Sequence, residues 1–369
     1  LKQFIVCAKK GFKLASPYVK SCFHKVVLMS EPIGCLPFVS LVIVNFNGKK
    51  FLKQCLLTLL KTDYPNYEVI IVDNASTDGS LEEIENYFGS NSKIKIIKNQ
   101  KNVGHSEGCN IGANLSNGRY LVFLDSDIEF DSKNWLSELV KVVENDKTIG
   151  LAQAKIVLSE DKTRLDCVCL AIDVLGTWAA NYGSLGNKLK KNFEIMAASS
   201  GCCIIRKEVF NNSGGFDNDY FIYDDDTDLS LRLRIMGYRI LFIPSSEVIH
   251  RSGVLRGVSG IGPYYSAKNR LRTAIKNYEF RNLWWKFSFL IFSMLLVSAG
   301  FFIVKKNNEA KATLKGITTS IEDLRKIWKK RLLFQVKRKI KDSELVKAGF
   351  IKNNFQYTLQ DFRIKLQYM

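Results

Sequence analysis

Proline and histidine are scarce in this chain, with six of the first and three of the second among 369 residues. So few prolines, alongside only 24 glycines, rule out a collagen-like repeat or a long linker-type segment. The histidines, at 24, 105 and 250, cannot supply zinc-finger spacing, and the nine cysteines contain no CxxC pair. An odd number of cysteines without a paired framework suits a reduced, cytosol-facing setting. The Gly-rich phosphate cradles are missing too: no GxGxxG follows the first strand-like run, and no GxxxxGK[ST] occurs. Acidic residues are outnumbered 36 to 54 by Lys and Arg, for a net charge of +18. That surplus calls for an anionic partner such as a phosphate-bearing substrate, a membrane surface or nucleic acid. Hydrophobic residues at 46 % and charged residues at 24 % are otherwise those of a globular protein with a sizeable core.

Three regions differ in character. Residues 1–38 alternate lysines with apolar residues. Ala8–Phe23 reads either as an amphipathic helix on anionic lipid or as a solvated extension. A secretory signal fits poorly, because lysines interrupt every apolar run. From Val39 to about residue 270 the pattern is that of an α/β domain. Short apolar runs at Val39–Asn45, Glu68–Asp73, Lys93–Lys98 and Tyr120–Leu124 read as buried parallel strands. Helical spacing lies between them at Phe51–Leu60, from Ser80 (where Ser80-Leu-Glu-Glu83 resembles a capping box) towards Phe88, and at Gly108–Leu115. This alternation implies an open, mostly parallel, twisted sheet with helices on both faces. Ligands then sit outside the carboxyl ends of the strands, where Asn45, Asp73 and Asp125 fall. Further strands are expected at Gly150–Leu158, Ser200–Ile205, Arg239–Ile243 and Glu247–His250, with a helix at Asp226–Met236.

Residues 271–369 form a helical, basic region. Phe287–Val304 holds eighteen residues without a charge, and residues 305–341 carry thirteen Lys/Arg against three Asp/Glu. Eighteen is the lower limit for a bilayer span, and the basic tail opposes export. A membrane-associated helix at 283–304, lying in-plane or re-entrant at the cytoplasmic face, is favoured over a single span. Trp284 and Trp285 suit the interface. Charge concentrated beside an apolar helix fits an anionic membrane surface better than nucleic acid.

Two acidic clusters carry the chemistry. Asp125-Ser126-Asp127 follows a buried strand directly, where hard oxygen ligands could hold Mg2+ or Mn2+ against a diphosphate. Asp224-Asp225-Asp226-Thr227-Asp228 opens a helix. Carboxylates are favoured in a first turn, but four in five positions exceed what one cap uses, and burial would raise one towards a general base. His250 ends an apolar strand, where it serves either packing or an Asp-plus-His metal site.

Six segments, Val39–Gly48, Val72–Gly79, Asn102–Asn110, Leu124–Asp127, Gly214–Asp217 and Asp225–Leu229, together resemble glycosyltransferase family 2 over about residues 39–270. The closest look is to its rhamnosyltransferase-like branch, which similarly carries a Tyr-Tyr-x-x-(Arg/Lys)-Asn segment, here Tyr264–Asn269. The resemblance implies a GT-A (Rossmann-like) fold and sugar transfer from a nucleoside-diphosphate sugar to a glycan or lipid-linked acceptor. It implies that Asp73 recognises the base, with Asn45, Asn74 and Asp78 nearby. Asn102, Gly104 and Asn110 would close over the nucleoside, Asp125 would contact ribose or metal, and Asp127 and His250 would approach the metal. Asp226 would be the general base, beside Asp225. Two positions depart from the family pattern: Asp225 stands where Glu is usual, and His105 where an aromatic is usual. Displacement by the deprotonated acceptor inverts the anomeric carbon in one step and needs no nucleophilic Cys or Ser from the enzyme, which leaves Cys202-Cys203 to packing. Alternatives from the same residues are a polyprenyl-phosphate sugar transferase and a non-catalytic nucleotide-sugar or glycan-binding module.

Overall fold

Four apolar runs become the parallel half of one sheet. In the computed structural model these are β1 (Val39–Asn45), β2 (Tyr67–Asp73), β3 (Ile94–Lys98) and β4 (Tyr120–Asp125), ordered β3-β2-β1-β4. The structure describes residues 36–354 apart from 174, 175, 177, 181, 182 and 252–260. The N-terminal amphipathic segment expected at Ala8–Phe23 lies outside the described residues. β1 is flanked on both sides, with Asn45 opposite Asp73 on β2 and Val44 opposite Asp125 on β4. That register sets Asn45, Asp73 and Asp125 side by side along the carboxyl rim, where the topology rule places a ligand.

Beyond β4 the sheet becomes mixed. A short strand β5 (Ile128–Glu129) is followed by β6 (Ile149–Leu158), then by β7 (Cys169–Ile172) and β8 (Trp178–Ala180), which pair as a separate ribbon. The two-residue β9 (Phe193–Glu194) precedes β10 (Cys202–Arg206), which runs antiparallel between β4 and β6. Instead of two short strands, one strand β11 (Arg239–His250) runs parallel to β6, with a register shift between Ile243 and Glu247. Pro244 and its neighbours interrupt the apolar pattern there without breaking the strand. β11 also pairs with β5, setting His250 against Ile128, one residue from Asp127.

Helices cover both faces, because successive residues of the central strands point to opposite faces and both sets are largely apolar. Leu41 and Ile43 pack on one side with α1 (Leu52–Leu59) and α4 (Trp135–Asn145), while Val42 packs on the other with α3 (His105–Leu115) and α6 (Asp225–Ile235). α3 lies so close to β1 that a Cβ on Gly112 would sit 2.3 Å from Val42 Cγ1. It starts three residues earlier than its periodicity suggests. α2 (Ser80–Phe88) lacks the expected capping box. The Asp78 carboxylate accepts from Ser80 N–H at 3.0 Å, and the Ser80 hydroxyl instead accepts from Asn45 Nδ2. The adjacent Cys202 and Cys203 are both buried and face opposite clusters.

After α5 (Lys207–Ser213), α6 and β11, the chain ends in helices α7 (Ile261–Asn277), α8 (Phe280–Ile303), α9 (Asn307–Glu322), α10 (Leu324–Gln335) and α11 (Asp342–Lys347). Residue 270 lies within α7, and from Phe38 onward the chain is one compact unit. Buried charges join the helices to the sheet domain. Asp228 of α6 accepts from Arg232 Nε at 2.9 Å, Lys276 Nζ at 2.9 Å and Asn277 Nδ2 at 2.8 Å. Lys276 and Lys330 also pair with Asp217. α8 is apolar and long enough for a membrane span, yet only 22 % of its apolar window is buried. Leu283, Lys286, Leu290, Met294 and Ser298 face inward, whereas Trp284, Phe292 and Leu296 are exposed.

Burial would raise the Asp217 carboxyl, but Lys276 and Lys330 outweigh it and hold it far below the usual range. Lys276→Met should cost about 3 kcal/mol in urea unfolding at pH 7, since it removes the cation that two buried carboxylates share and leaves Asp228 to Arg232 and Asp217 to Lys330. A carboxyl with a depressed folded pKa stabilises above its unfolded value and loses that contribution as pH falls through the folded one. The gap between parent and variant should therefore narrow below about pH 4.

Candidate active site

At the rim, the first shell of polar residues is tied together before any ligand arrives. Asn45 is fully buried, and its Nδ2, with two hydrogens, lies within hydrogen-bond reach of three acceptors: Asp73 Oδ1 at 2.8 Å, Ser76 Oγ at 3.0 Å and Ser80 Oγ at 3.0 Å. Asp73 also accepts from the Ser76 hydroxyl at 2.6 Å and, through Oδ2, from Ser76 N–H at 3.0 Å. Asn74 Nδ2 donates to the Gly104 carbonyl at 3.0 Å, and Asn74 Oδ1 accepts from Asn99 at 2.9 Å. Asp78 receives Lys49 N–H at 2.8 Å and so anchors the loop after β1. Asn102 Oδ1 accepts Gly104 N–H at 2.9 Å. Asn110 lies further along α3 and clamps Phe216, donating to its carbonyl at 2.9 Å and accepting its N–H at 3.0 Å. Asn45, Asp73, Asn74 and Asn102 thus share one rim. Both amide atoms of Asn110 serve the Gly214–Asp217 turn.

The second group is metal-like. Asp125, Asp127 and His250 each present a ligand atom, all within 4.8 Å of one another. His250 Nε2 is 3.1 Å from Asp127 Oδ1, and His250 Nδ1 is 3.0 Å from Asp166 Oδ2. Burial alone would lower the His250 pKa, but the Asp127 and Asp166 carboxylates outweigh it and push it to about 10. Asp127 Oδ2 is buried and has no hydrogen-bond partner among the described residues. Asp125 is pushed up by burial and by Asp127. Two carboxylates, one with an open oxygen, and an imidazole fit a hard divalent cation such as Mg2+ or Mn2+. Asp166, which orients the far nitrogen of His250 as a supporting carboxylate does, carries no local sequence signal. It lies in an irregular segment 84 residues from its partner.

The third group is the start of α6. Asp225 is buried and accepts from Ser106 Oγ at 2.8 Å and pairs with His105 Nδ1 at 2.8 Å. Burial and a Cys109 sulfur at 3.5 Å bear on His105 as well, and with Asp225 the balance holds its imidazole charged well above the usual range. The two positions that depart from the family pattern, His105 and Asp225, are therefore one hydrogen-bonded pair. His105 Nε2 also lies 3.9 Å from Asp125 Oδ1, which links the metal-like group to the helix. Asp226 is differently placed. It is half-buried, and its carboxylate accepts only from its neighbour Thr227 among the described residues. Burial, then Asp225 and Asp224, push its pKa to about 8. Gly104 packs on the same loop: its φ is +87°, and a Cβ there would lie 2.5 Å from the Phe221 carbonyl.

A mixed sheet with nucleotide-type residues on its rim, a DxD-plus-His cluster and an acid-led helix describes a glycosyltransferase-like centre. Residues 40–214 match the family model Glycosyl transferase family 2, and the sheet and its flanking helices form a GT-A fold. An O-antigen biosynthesis protein of Myxococcus xanthus is 26 % identical over 240 residues, which cover 62 % of this chain and 18 % of that protein. GalNAc-T7, solved with UDP, GalNAc and Mn2+, aligns with a TM-score of 0.57 and 21 % identity over 73 % of this chain and 58 % of that one. A mannosyltransferase of Pyrobaculum calidifontis, solved with GDP-Man and Mn2+, aligns with a TM-score of 0.51 and 16 % identity over 83 % of this chain and 95 % of that one.

Asp127→Ala removes the open oxygen and the His250 partner together. It should abolish the rise in melting temperature that Mn2+ with UDP or GDP gives the parent, while the variant alone keeps a cooperative transition. An undiminished Mn2+-dependent shift would remove this metal assignment.

Proposed function

We propose that the protein is an inverting, metal-dependent glycosyltransferase that moves a hexosyl or rhamnosyl-type sugar from a nucleoside-diphosphate donor to a hydroxyl of a glycan or lipid-linked acceptor. The observation that carries this reading is the division of the acids. Asp125 and Asp127 sit with His250 on the strand rim, and Asp226 stands uncommitted at the head of α6. The domain's family and its fold neighbours with bound UDP or GDP-Man support the donor class.

The residues divide the work. Asn45 and Asp73, with Asn74 and the Gly104 loop, hold the nucleoside. Asp125, Asp127 and His250 would hold Mg2+ or Mn2+, which offsets negative charge on the departing diphosphate. Asp226, pushed to about 8, takes the proton from the acceptor hydroxyl as it attacks the anomeric carbon. Attack opposite the leaving group inverts that carbon. Asp225, held ionised by His105, repels charge on Asp226 and so raises its basicity.

The outer face of α8 adds a place for the acceptor. Exposed Trp284, Phe292, Leu296 and Ile303 belong to the same helical region as α10, which carries Arg325, Lys326, Lys329, Lys330 and Arg331, a combination suited to an anionic bilayer surface. We place the enzyme at the cytoplasmic face of the membrane, within reach of lipid-linked glycans.

Asp226→Asn keeps the shape of the side chain but cannot accept the proton. Transfer from the best donor in a nucleotide-sugar panel should fall about 100- to 10,000-fold, with UDP or GDP affinity retained. Near-parental transfer by this variant would transfer the role to another acid, with Asp225→Asn as the paired comparison. The rate should also rise with pH through the neutral range, because Asp226 acts only when ionised and its pKa is raised.

Full-length protein should co-sediment with phosphatidylglycerol vesicles and dissociate as salt is raised. Phe292→Glu with Leu296→Glu, on one side of α8, should leave it in the supernatant. Equal sedimentation of parent and double variant would place the membrane contact elsewhere.

A further inference from the structure

The Tyr264–Asn269 segment has so far no role in the chemistry, yet its last residue touches the base-bearing loop. Phe221, Tyr223 and Asp224 have φ of 66°, 65° and 59°, a left-handed conformation that side chains other than glycine seldom adopt. These residues run directly into α6 and set the direction from which Asp225 and Asp226 enter the cleft. Such a loop persists only where its surroundings over-determine it.

Two elements grip it. From α3, His105 N–H donates to the Phe221 carbonyl at 2.6 Å, with Ser106 N–H at 3.4 Å. From α7, Asn269 is fully buried, and its Nδ2 lies 3.1, 2.8 and 2.8 Å from the carbonyl oxygens of Tyr220, Ile222 and Tyr223. An amide nitrogen has two hydrogens, so three acceptors converge on one donor group. Asn269 Oδ1 is buried with no hydrogen-bond partner among the described residues. Among the described residues, all the hydrogen bonding of the Asn269 side chain goes to these loop carbonyls. The same helix face binds the loop's approach, through Lys268 Nζ to the Asp219 carbonyl at 2.8 Å and Thr273 Oγ1 to Tyr220 Oη at 2.7 Å.

We propose that Asn269 is a positioning residue for the transfer reaction: its amide pins residues 220–223 in the left-handed path that delivers Asp226 to the acceptor hydroxyl. This rests on the assignment of Asp226 as the base. Asn269 touches no reacting atom, so its removal changes turnover through the loop and leaves the nucleoside rim alone.

The test compares the full-length parent with Asn269→Ala, Thr273→Val and Asp226→Asn. Amide hydrogen exchange is followed in the 220–226 peptide, UDP affinity is measured with Mn2+, and hydrolysis of UDP-GlcNAc and GDP-mannose is followed. Asn269→Ala should speed loop exchange and lower turnover about 100-fold, the scale of a small misplacement of a reacting group, with UDP affinity within about threefold. Thr273→Val, which loses the hydrogen bond to the Tyr220 hydroxyl but none to the loop carbonyls, should lower turnover far less than Asn269→Ala does. In a Tyr223→Gly background, where glycine accepts positive φ freely, Asn269→Ala should destabilise less than it does alone. Asn269→Ser, which keeps one donor, replaces the alanine variant if that does not fold. Unchanged loop exchange, additive stability effects, or UDP affinity falling in step with turnover would each overturn the proposal. Parental hydrolysis by Asp226→Asn would instead remove the base assignment, while exchange and the double-mutant cycle still decide whether Asn269 restrains the loop.

Discussion

Crowded carboxylates in a protein interior must each find a cation, a proton or a set of donors, and this requirement organises the molecule. Asp228 has Arg232 and Lys276, Asp217 has Lys276 and Lys330, and Asp225 has His105. Asp127 and Asp166 share His250. When those partners are assigned, three acids are pushed upward: Asp125, Asp224 and Asp226. They stand on different elements, one on the strand rim and two at the start of the helix. A centre that must neutralise a leaving diphosphate on one side and receive a proton on the other needs that asymmetry.

The same allocation makes the C-terminal helices part of the catalytic body. Lys276 and Lys330 come from α7 and α10, yet their carboxylates belong to the Gly214–Asp217 turn and to α6. Asn269, also from α7, holds the loop between those two. The helix α8 is therefore joined to the cleft through α7, against which it packs. Contact at the apolar outer face of α8 and chemistry at the rim involve one framework.

Local pattern made much of this legible. Three of the four strands of the parallel half end where an apolar run meets Asn45, Asp73 or Asp125, because a buried strand needs apolar residues and its rim does not. The acids of the DxD and of α6 stood out for the same reason. What escaped depends on distance along the chain. His105 meets Asp225 across 120 residues and Asp166 meets His250 across 84, so neither pair leaves a spacing to read. The capping box failed because Ser80 had a better use, receiving Asn45 Nδ2, while Asp78 took over the amide. The break between Ile243 and Glu247 is real as a register shift, but neighbours on both sides of β11 keep the strand continuous.

The vicinal cysteines of β10 illustrate how sheet geometry governs reactivity. Neighbours in a strand point to opposite faces, so the thiols of Cys202 and Cys203 lie in separate hydrophobic clusters and cannot join without dismantling the strand. Burial also raises both thiols above their ordinary range, which suppresses the nucleophilic thiolate. Cys55, Cys109 and Cys169 are buried as well. Alkylation of these sulfurs consequently requires the hydrophobic cluster that holds each of them to open. A thiol reagent acts on this protein as a clock for unfolding, with each modified position marking which layer of the core had parted.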